Sequence, residues 1–374
     1  VSSYVSAEKI EYAGSWGEES ISITTQSSQK IVLNYSIRSF SFTNVNINGE
    51  EMTELSLPGV LLPNDKGAPN LPGMGRYIAL PEGAVASLKV IDQRIETIKD
   101  ISVAPAPRIP WDTERGPLEY EKDQQIYSKN AFYPSNPVKL SEKTEIRGLD
   151  AVMMGITPFQ YNPVTRELLV YRDIKIEVTF EGGNGEFGED RLRSRWWDPI
   201  IRNTFVNEAS IPDISYNRSY QQTKETGCEY LIVVPNNPEF KSWGDSIKNF
   251  RTLQGIESDV ITLDEIGGNT VNTLEGFFND AYNTWDIVPA AVLLLGDYGT
   301  NANNSIISPI WDYYCVSDNI YADVNNNDMP DIIFARITAQ NETQLETMVS
   351  KFLNYERTPP VNENFYNHPI TALG

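Results

Sequence analysis

The sequence predicts a multidomain α+β protein, in which an all-β region of sandwich or barrel type precedes an α/β domain with a mainly parallel sheet. The 374-residue chain is longer than one hydrophobic core usually serves. Short, β-branched or alternating segments fill the first 180 residues. From Cys228 onward, continuous apolar runs alternate with segments of helical periodicity. We therefore expect a β-rich domain at 1–182, a linker or extended arm at 183–226 and the α/β domain at 227–374.

The β-rich region contains strand-like segments and two irregular stretches. The predicted strands are ESISITT, KIVLNYSI, SFSFTNVNI, SLKVID, AVMMGIT, ELLVY and IKIEVTF. Residues 57–81 are so rich in Pro and Gly that we expect a loop or a sheet edge. Residues 104–137 are longer than a structureless loop should be, which indicates a functional segment or one that wraps over another surface.

The α/β domain is predicted from four apolar strands and three amphipathic helices. The strands are EYLIVVP, ESDVITL, AAVLLLGD and IIFARI. The first helix carries Phe240, Trp243, Ile247, Phe250 and Leu253 at helical spacing and should end at Gly255. The second is TVNTLEGFFNDAYNTW, and the third, NETQLETMVSKFLNYER, should bury Leu345, Met348, Val349 and Phe352. The final PITALG reads as the start of another strand, so we expect the chain to be part of a larger protein.

Composition narrows the class of function. The net charge of −21 and a pI near 4.5 disfavour nucleic-acid binding, because a phosphate backbone would be repelled. No stretch approaches the roughly 20 apolar residues that a transmembrane helix needs. The chain opens VSSYVSAEK, without Met or an apolar signal-type start. This start is expected for an exported protein whose targeting segment has been removed.

An acidic loop before the fourth strand is a candidate calcium site. Asp323, Asn325, Asn327 and Asp331 occupy positions 1, 3, 5 and 9 of a cation-binding loop, and the Met329 carbonyl is available at position 7. The loop is not an EF-hand, since the sixth position is Asp328 and the twelfth is Phe334. Asp318 is the nearest replacement for the missing bidentate glutamate. The alternative is a turn rich in Asn and Asp without a metal.

No complete catalytic constellation is present in this sequence. The single histidine, His368, lies beside a proline, where a solvated side chain is the usual outcome. Cys228 and Cys315 could pair once, and Cys315 has no neighbouring histidine to generate a thiolate. Asp297 closes the third strand, where either a ligand crevice or a simple turn carboxylate is possible. HExxH, CxxC and GxSxG motifs are absent.

Three stretches of the β-rich region are distinctive: GAPNLPGMGRYIALP, VAPAPRIPWDTERGPLEYEKDQQIYSKNAFYPSNP and RGLDAVMMGITPFQYNPVTRELLVYRDIKIEVTF. They resemble the prosegment of the gingipain-like cysteine peptidases, peptidase family C25. RWWDPIIRNTFVN is similar to the arm that follows it. EYLIVVPNNPEFKSWGDSIKNFRTLQG, VLLLGDYGT and SDNIYADVNNNDMPDIIFARI resemble the first half of the peptidase domain.

The resemblance implies a secreted or cell-surface bacterial zymogen, in which a β-rich prosegment precedes a caspase-like α/β domain. The family cleaves protein or peptide substrates with a histidine–cysteine dyad, which we expect beyond residue 374 because His368 and Cys315 do not match its positions. The prosegment would inhibit the remainder of its own peptidase domain and assist its folding. The family also binds calcium, which favours a metal in the acidic loop. The rival interpretations are a non-catalytic surface or secretion-associated protein that lost the dyad, and a calcium-dependent adhesion module.

The resemblance also implies roles for basic residues. Prosegments of this family can place a basic side chain in the specificity pocket, and Arg108 and Arg115 in the long irregular stretch are the candidates here. Ordinary surface arginine is the alternative for both. Activation cleavage is expected near the domain junction, where the basic residues are Arg191, Arg193, Arg195 and Lys224.

Overall fold

The computed structural model describes residues 7–18, 20–60, 65–111, 113–213, 226–311 and 315–369. The chain divides into two compact units. The β unit comprises Val1–Thr144, Leu149–Gly188 and Pro199–Asp213, and the α/β unit comprises Glu145–Gly148, Glu189–Asp198 and Ile214–Gly374. The predicted arm at 183–226 is therefore shared between the units. We call Glu145–Gly148 the turn piece and Glu189–Asp198 the arm piece of the α/β unit.

The regular structure in the first part of the chain is almost entirely β-strand, as predicted. Its strands are β1 (Ala7–Glu11), β2 (Ser20–Gln26), β3 (Lys30–Ser36), β4 (Ser39–Ile47), β5 (Glu50–Ser56), β6 (Met74–Ala79), β7 (Ala84–Ile98), β8 (Val138–Leu140), β9 (Thr144–Ile146), β10 (Leu149–Ile156), β11 (Phe159–Asn162) and β12 (Glu167–Gly182). Its helices are α1 (Gln124–Tyr127) and α2 (Asp198–Thr204), and single 3₁₀ turns lie at Asp190–Leu192 and Glu208–Ser210.

Antiparallel sheets build the β unit. One has the order β1-β4-β5, a second contains β6-β10-β8, and a third has the order β11-β12-β3-β2 with β7 also paired to β12. The inward residues of these strands form one apolar core, which includes Leu33, Phe40, Phe159 and Ile176. The predicted strands ELLVY and IKIEVTF form the single strand β12, because Asp173 between them is buried and ion-paired with Arg94 instead of forming a turn.

The two irregular stretches contain little regular structure, and several short strands were not predicted, namely β1, β5, β8, β9 and β11. Residues 57–81 end in β6, which stands at the end of the sheet order β6-β10-β8 and so lies at a sheet edge. The described residues of 104–137 contain the short helix α1 and no strand. The strand β5 was not predicted, because its sequence EEMTELS is mostly polar and presents only two fully buried residues.

The α/β unit contains the predicted parallel sheet. Its strands are β13 (Tyr230–Val234), β14 (Ser258–Thr262), β15 (Ala291–Leu295), β16 (Asp297–Tyr298), β17 (Ser305–Ile306), β18 (Ile310–Trp311), β19 (Cys315–Val316) and β20 (Ile333–Ile337). Its helices are α3 (Pro238–Leu253), α4 (Leu263–Ile266), α5 (Val271–Thr284), α6 (Asn319–Ala322), α7 (Glu342–Arg357) and α8 (Glu363–Tyr366). The main sheet has the order β14-β13-β15-β20, and all neighbours are parallel.

Alternate residues of the central strands are buried on opposite faces of this sheet. Leu231 and Val233 pack with α5 on one face, while Ile232 and Val234 pack with α3 and α7 on the other. The continuous apolar runs are thus explained by burial on both sides. Two residues that were predicted to be buried are exposed: Leu253, the last residue of α3, at 87%, and Met348 on α7. The apolar pattern of each helix extends beyond the face that the sheet covers.

Residues 370–374 of the predicted fifth strand lie outside the described part of the chain. None of the described helices has the length and apolar character needed to cross a membrane.

Candidate functional site

The acidic loop joins α6 to β20 and forms a tight turn around Asp323. The carboxylate of Asp323 accepts hydrogen bonds from the backbone N–H of Asn327 at 3.0 Å and of Asp328 at 2.9 Å. Asn326 and Asp328 have φ values of +54° and +64°, in the left-handed region that Asn and Asp tolerate. The density of Asn and Asp is thus accounted for locally by turn chemistry.

Asp331 closes the loop from inside the unit and is 1% exposed. Its carboxylate accepts the backbone N–H groups of Val324 at 3.1 Å and Asn325 at 3.2 Å. Burial raises the pKa of Asp331 to about 6, although the backbone N–H donors oppose this shift. The carboxylate therefore fixes the base of the loop and bears a desolvation penalty when ionised.

The turn piece contacts the loop through Glu145. Asn327 donates its side-chain amide to the Glu145 carbonyl at 2.6 Å, and Asn325 donates to the Glu145 carboxylate at 3.1 Å. Asp318 instead forms a bidentate ion pair with Arg336, at 2.7 and 2.8 Å. Of the predicted calcium ligands, Asp323, Asn325, Asn327, Met329 and Asp331 share one loop, while Asp318 is committed elsewhere.

The described residues contain no cluster of three or more Asp, Glu, His or Cys side chains placed to hold a metal ion. Each carboxylate oxygen of Asp323 takes one N–H and retains a second lone pair, so the turn bonds leave room for a further partner on these atoms. Calcium in this loop stays a prediction.

Arg147 of the turn piece occupies a buried site that the sequence analysis missed. Its guanidinium donates to the carbonyl oxygens of Leu192 at 2.8 Å, Pro289 at 3.1 Å and Asp331 at 2.6 Å. It lies 5.2 Å from the ring centroid of Trp197 and 5.3 Å from that of Tyr282. Burial lowers the pKa of Arg147 to about 10, which leaves the group cationic at neutral pH. The only local signal was the Arg-Gly pair between two strand-like segments, which is typical of a two-residue hairpin turn.

The predicted cleavage arginines in the arm piece have different environments. Arg191 donates to the carbonyls of Tyr282 at 2.7 Å and Trp285 at 3.1 Å, at the C-terminal end of α5. The side chain of Arg193 is 1% exposed and forms a bidentate ion pair with Asp198, at 2.6 and 2.8 Å. The side chain of Arg195 is 40% exposed and donates to the Gly255 carbonyl at 2.5 Å. Lys224 lies outside the described residues.

The candidate inhibitory arginines belong to the β unit. Arg108 lies between Glu114, 2.9 Å away, and Glu119, 3.1 Å away, and these carboxylates raise its pKa. Arg115 is exposed. The structure therefore distinguishes an arginine held by two neighbours from one that projects from the surface.

The remaining chemically competent residues do not form a catalytic site among themselves. Burial raises the pKa of Cys228 to about 12, so its thiol stays protonated. Cys315 is exposed, and both cysteines are free. The Nδ1 atom of His368 lies 2.7 Å from the Asn364 carbonyl. Asp297 begins the short strand β16, and its carboxylate accepts hydrogen bonds from the Tyr298 backbone N–H and the Gln340 side chain.

The architecture defines a two-part protein, in which residues from the β-rich half of the sequence complete an α/β unit. Comparison with known families assigns both parts. Residues 18–208 match the family model Propeptide_C25, and residues 223–372 match Peptidase family C25. The chain therefore belongs to peptidase family C25 and carries the propeptide of that family together with peptidase-domain sequence.

Individual relatives come from Porphyromonas gingivalis. The chain is 24% identical to Gingipain R2 over 306 residues, covering 79% of this chain and 39% of that protein. It is 22% identical to Lys-gingipain HG66 over 366 residues, covering 94% of this chain and 20% of that protein. It thus spans well under half the length of either relative. A solved complex of the RgpB pro- and mature domains is similar with a TM-score of 0.45 and 21% identity, covering 51% of this chain and 97% of that one.

Proposed function

We propose that the chain is the N-terminal portion of a secreted or cell-surface cysteine endopeptidase zymogen. Its prosegment would assist the folding of the peptidase domain and inhibit it. One observation carries this proposal: the turn piece and the arm piece lie inside the propeptide match at 18–208, yet both belong to the α/β unit. A segment that supplies buried contacts to the peptidase half is suited to guiding its folding.

The proposed chemistry is acyl transfer by thiolate attack on a peptide bond of a protein or peptide substrate. Neither described thiol suits that role, because Cys228 is buried and protonated and Cys315 has no hydrogen bond to His368 among the described residues. We place the catalytic histidine and cysteine beyond residue 374, in the C-terminal remainder of the peptidase domain. The carboxyl ends of the parallel strands are where such a sheet normally forms its ligand crevice.

The test uses the longer protein that contains this chain. Hydrolysis of casein and of fluorogenic peptides is measured before and after limited trypsin treatment, with and without iodoacetamide. We expect latent protein to become active on cleavage and to lose activity on alkylation. Absence of thiol-dependent hydrolysis after complete processing would favour the non-catalytic surface or secretion-associated protein instead.

Activation cleavage is proposed at the basic residues of the arm and linker, Arg191, Arg193, Arg195 and Lys224. The side chains of Arg193 and Arg191 are 1% and 26% exposed, against 40% for Arg195, so both are less accessible to a protease pocket than Arg195 is. The exposed Arg195 and the linker residue Lys224 are therefore expected to be cut first. Mass spectrometry of early trypsin fragments checks this order, and a first cut at Arg193 would contradict it.

Calcium is proposed as a structural ion of the acidic loop. Its support is the oxygen-rich spacing of Asp323, Asn325, Asn327 and Asp331. A bound ion stabilises the folded state in proportion to the logarithm of its concentration over its dissociation constant. We expect EDTA to lower the thermal midpoint and excess Ca²⁺ to restore it. An unchanged midpoint in EDTA would remove calcium from the proposal.

A further inference from the structure

The two propeptide-derived pieces of the α/β unit both contact one edge of its parallel sheet. Arg147 donates to the carbonyls of Pro289 and Asp331, each two residues before a strand, β15 and β20 respectively. Trp197 donates its indole N–H to the Ala290 carbonyl at 3.0 Å. Because the strands are parallel, these carbonyls lie at the same, amino-terminal edge.

The arm piece extends this contact to the other strands. Arg195 reaches the Gly255 carbonyl, before β14, and the Glu229 carboxylate at 3.3 Å, immediately before β13. The pieces therefore cover the amino edge from β14 to β20. The ligand crevice of an open parallel sheet forms at the opposite, carboxyl-terminal edge. Contacts at the amino edge can hold the prosegment without occupying that crevice.

The turn around Arg147 is shaped for this position. Arg147 and Gly148 have φ values of +48° and +76°, which makes a tight turn and directs the arginine inward. A Cβ atom on Gly148 would lie 2.4 Å from Cδ1 of the buried Leu192. Only glycine therefore combines the left-handed backbone with this close approach.

The chemistry of the pocket selects a guanidinium. Three carbonyl oxygens accept from Nε and Nη1, and two aromatic rings flank the group. A planar guanidinium spreads its donors over three nitrogens and can stack on rings, whereas an ammonium holds its three donors on one nitrogen and has no plane to stack. Removal of the arginine leaves buried acceptors without their donor, which is costly.

We propose that the amino edge of the parallel sheet is a docking surface for the prosegment and that Arg147 is its anchor residue. The occupant is the turn piece of this same chain, with the arm piece beside it. After the linker is cut, the prosegment stays bound through this surface until the turn is withdrawn. This inference rests on the proposed zymogen function, but it concerns retention, whereas Arg108 and Arg115 are the candidates for blocking the cleft.

The test uses the full 374-residue chain with a site-specific protease sequence inserted after Lys224. After complete cutting, the dissociation rate of the two fragments is measured by size-exclusion chromatography of diluted samples. The variants are R147M, R147K and R166M. Arg166 is the matched control, because it also has a positive φ, +56°, and donates to a carbonyl, that of Asp100, yet is exposed.

We expect the wild-type and R166M fragments to stay together. R147M should dissociate at least about tenfold faster, equivalent to the loss of one charge-assisted hydrogen bond, and R147K should be intermediate. If R147M does not fold before cutting, the dissociation rates of R147K and R166M are compared instead, and a faster rate for R147K supports the proposal. Immediate separation of the wild-type fragments, or equal rates for the Arg147 and Arg166 variants, would overturn the proposal. Neither readout needs peptidase activity, so an inactive full-length protein would refute the proposed function and leave this result standing.

Discussion

Two regions of the propeptide sequence carry arginines that differ in their exposure to solvent. In the irregular stretch 104–137, Arg108 is partly exposed between two glutamates and Arg115 is exposed. In the turn piece, Arg147 is 1% exposed and bonded to three backbone carbonyls. An exposed arginine can leave its neighbours to reach a partner, while a buried one is committed to the unit that encloses it. The two environments are those that the two proposals require: reversible blocking by an arginine of the first region and retention by the arginine of the second.

The largest expected effect comes from Arg147→Met. The substitution removes the donor of three carbonyls and the cation between two rings, so we expect the α/β unit to lose about 3–5 kcal/mol of its free energy of unfolding. Urea unfolding followed by hydrogen exchange of the β13 and β15 peptides measures this loss. Exchange of the β3 and β12 peptides is the control, since they belong to the β unit. A loss below about 1 kcal/mol would make Arg147 an ordinary residue.

Arg193→Met tests whether a buried arginine with a carboxylate partner behaves like Arg147. Its bidentate bond to Asp198 would be lost, and the remaining carboxylate lies at the first residue of α2, where the helix N-terminus favours negative charge. We therefore expect a smaller loss, about 2–3 kcal/mol, in the same unfolding measurement. Combining it with Asp198→Asn should recover part of that loss. A double variant as unstable as the sum of both single variants would contradict the pairing.

The fold could be read from the sequence most accurately where physical constraints are local. Each main strand of the parallel sheet was predicted to within two residues, because burial on both faces produces a continuous apolar run. The strand β5 and the continuity of β12 were not, because a polar edge segment and a buried Asp173 look like turn sequence. Whether these segments form strands depends on partners that are distant in the same sequence, and local sequence patterns do not reveal those partners.

The site shows the same limit. The residues Asp323 to Asp331 form one turn in the structure, which is expected of neighbours in sequence, while the calcium that they were predicted to bind stays a prediction. Their partner Glu145 lies 180 residues before Asn325 and could not be foreseen. Arg147 was not identified as a site residue, because nothing in its neighbouring sequence indicates burial. Its burial results from tertiary contacts with Leu192 and Pro289.

The pH dependence of Asp331 provides a third, smaller effect. Its pKa in the folded protein, about 6, lies above the ordinary value of 3.8, so the folded state binds the proton more tightly than the unfolded state. This carboxyl group therefore lowers the stability of the α/β unit as pH rises from about 4 to 6. The groups that face it include Glu145, Tyr282 and the Arg147 backbone. We expect Asp331→Asn to gain about 1–2 kcal/mol relative to wild type across this interval. A stability difference that is constant with pH would refute the shifted pKa.

The smallest effect on stability is expected for substitutions of Arg108, which is partly exposed, and of Arg115, which is exposed. These two residues contrast with the buried Arg147. Arg108→Ala and Arg115→Ala should leave the unfolding midpoint unchanged, because ion pairs of exposed side chains contribute little. If one of them blocks the specificity pocket, its loss should raise the inhibition constant of the chain against the processed peptidase at least about tenfold. Arg115 is the stronger candidate, since Arg108 must first leave Glu114 and Glu119. Equal inhibition by both variants and wild type would exclude both residues, and would leave retention by Arg147 as the one role proposed here for a prosegment arginine.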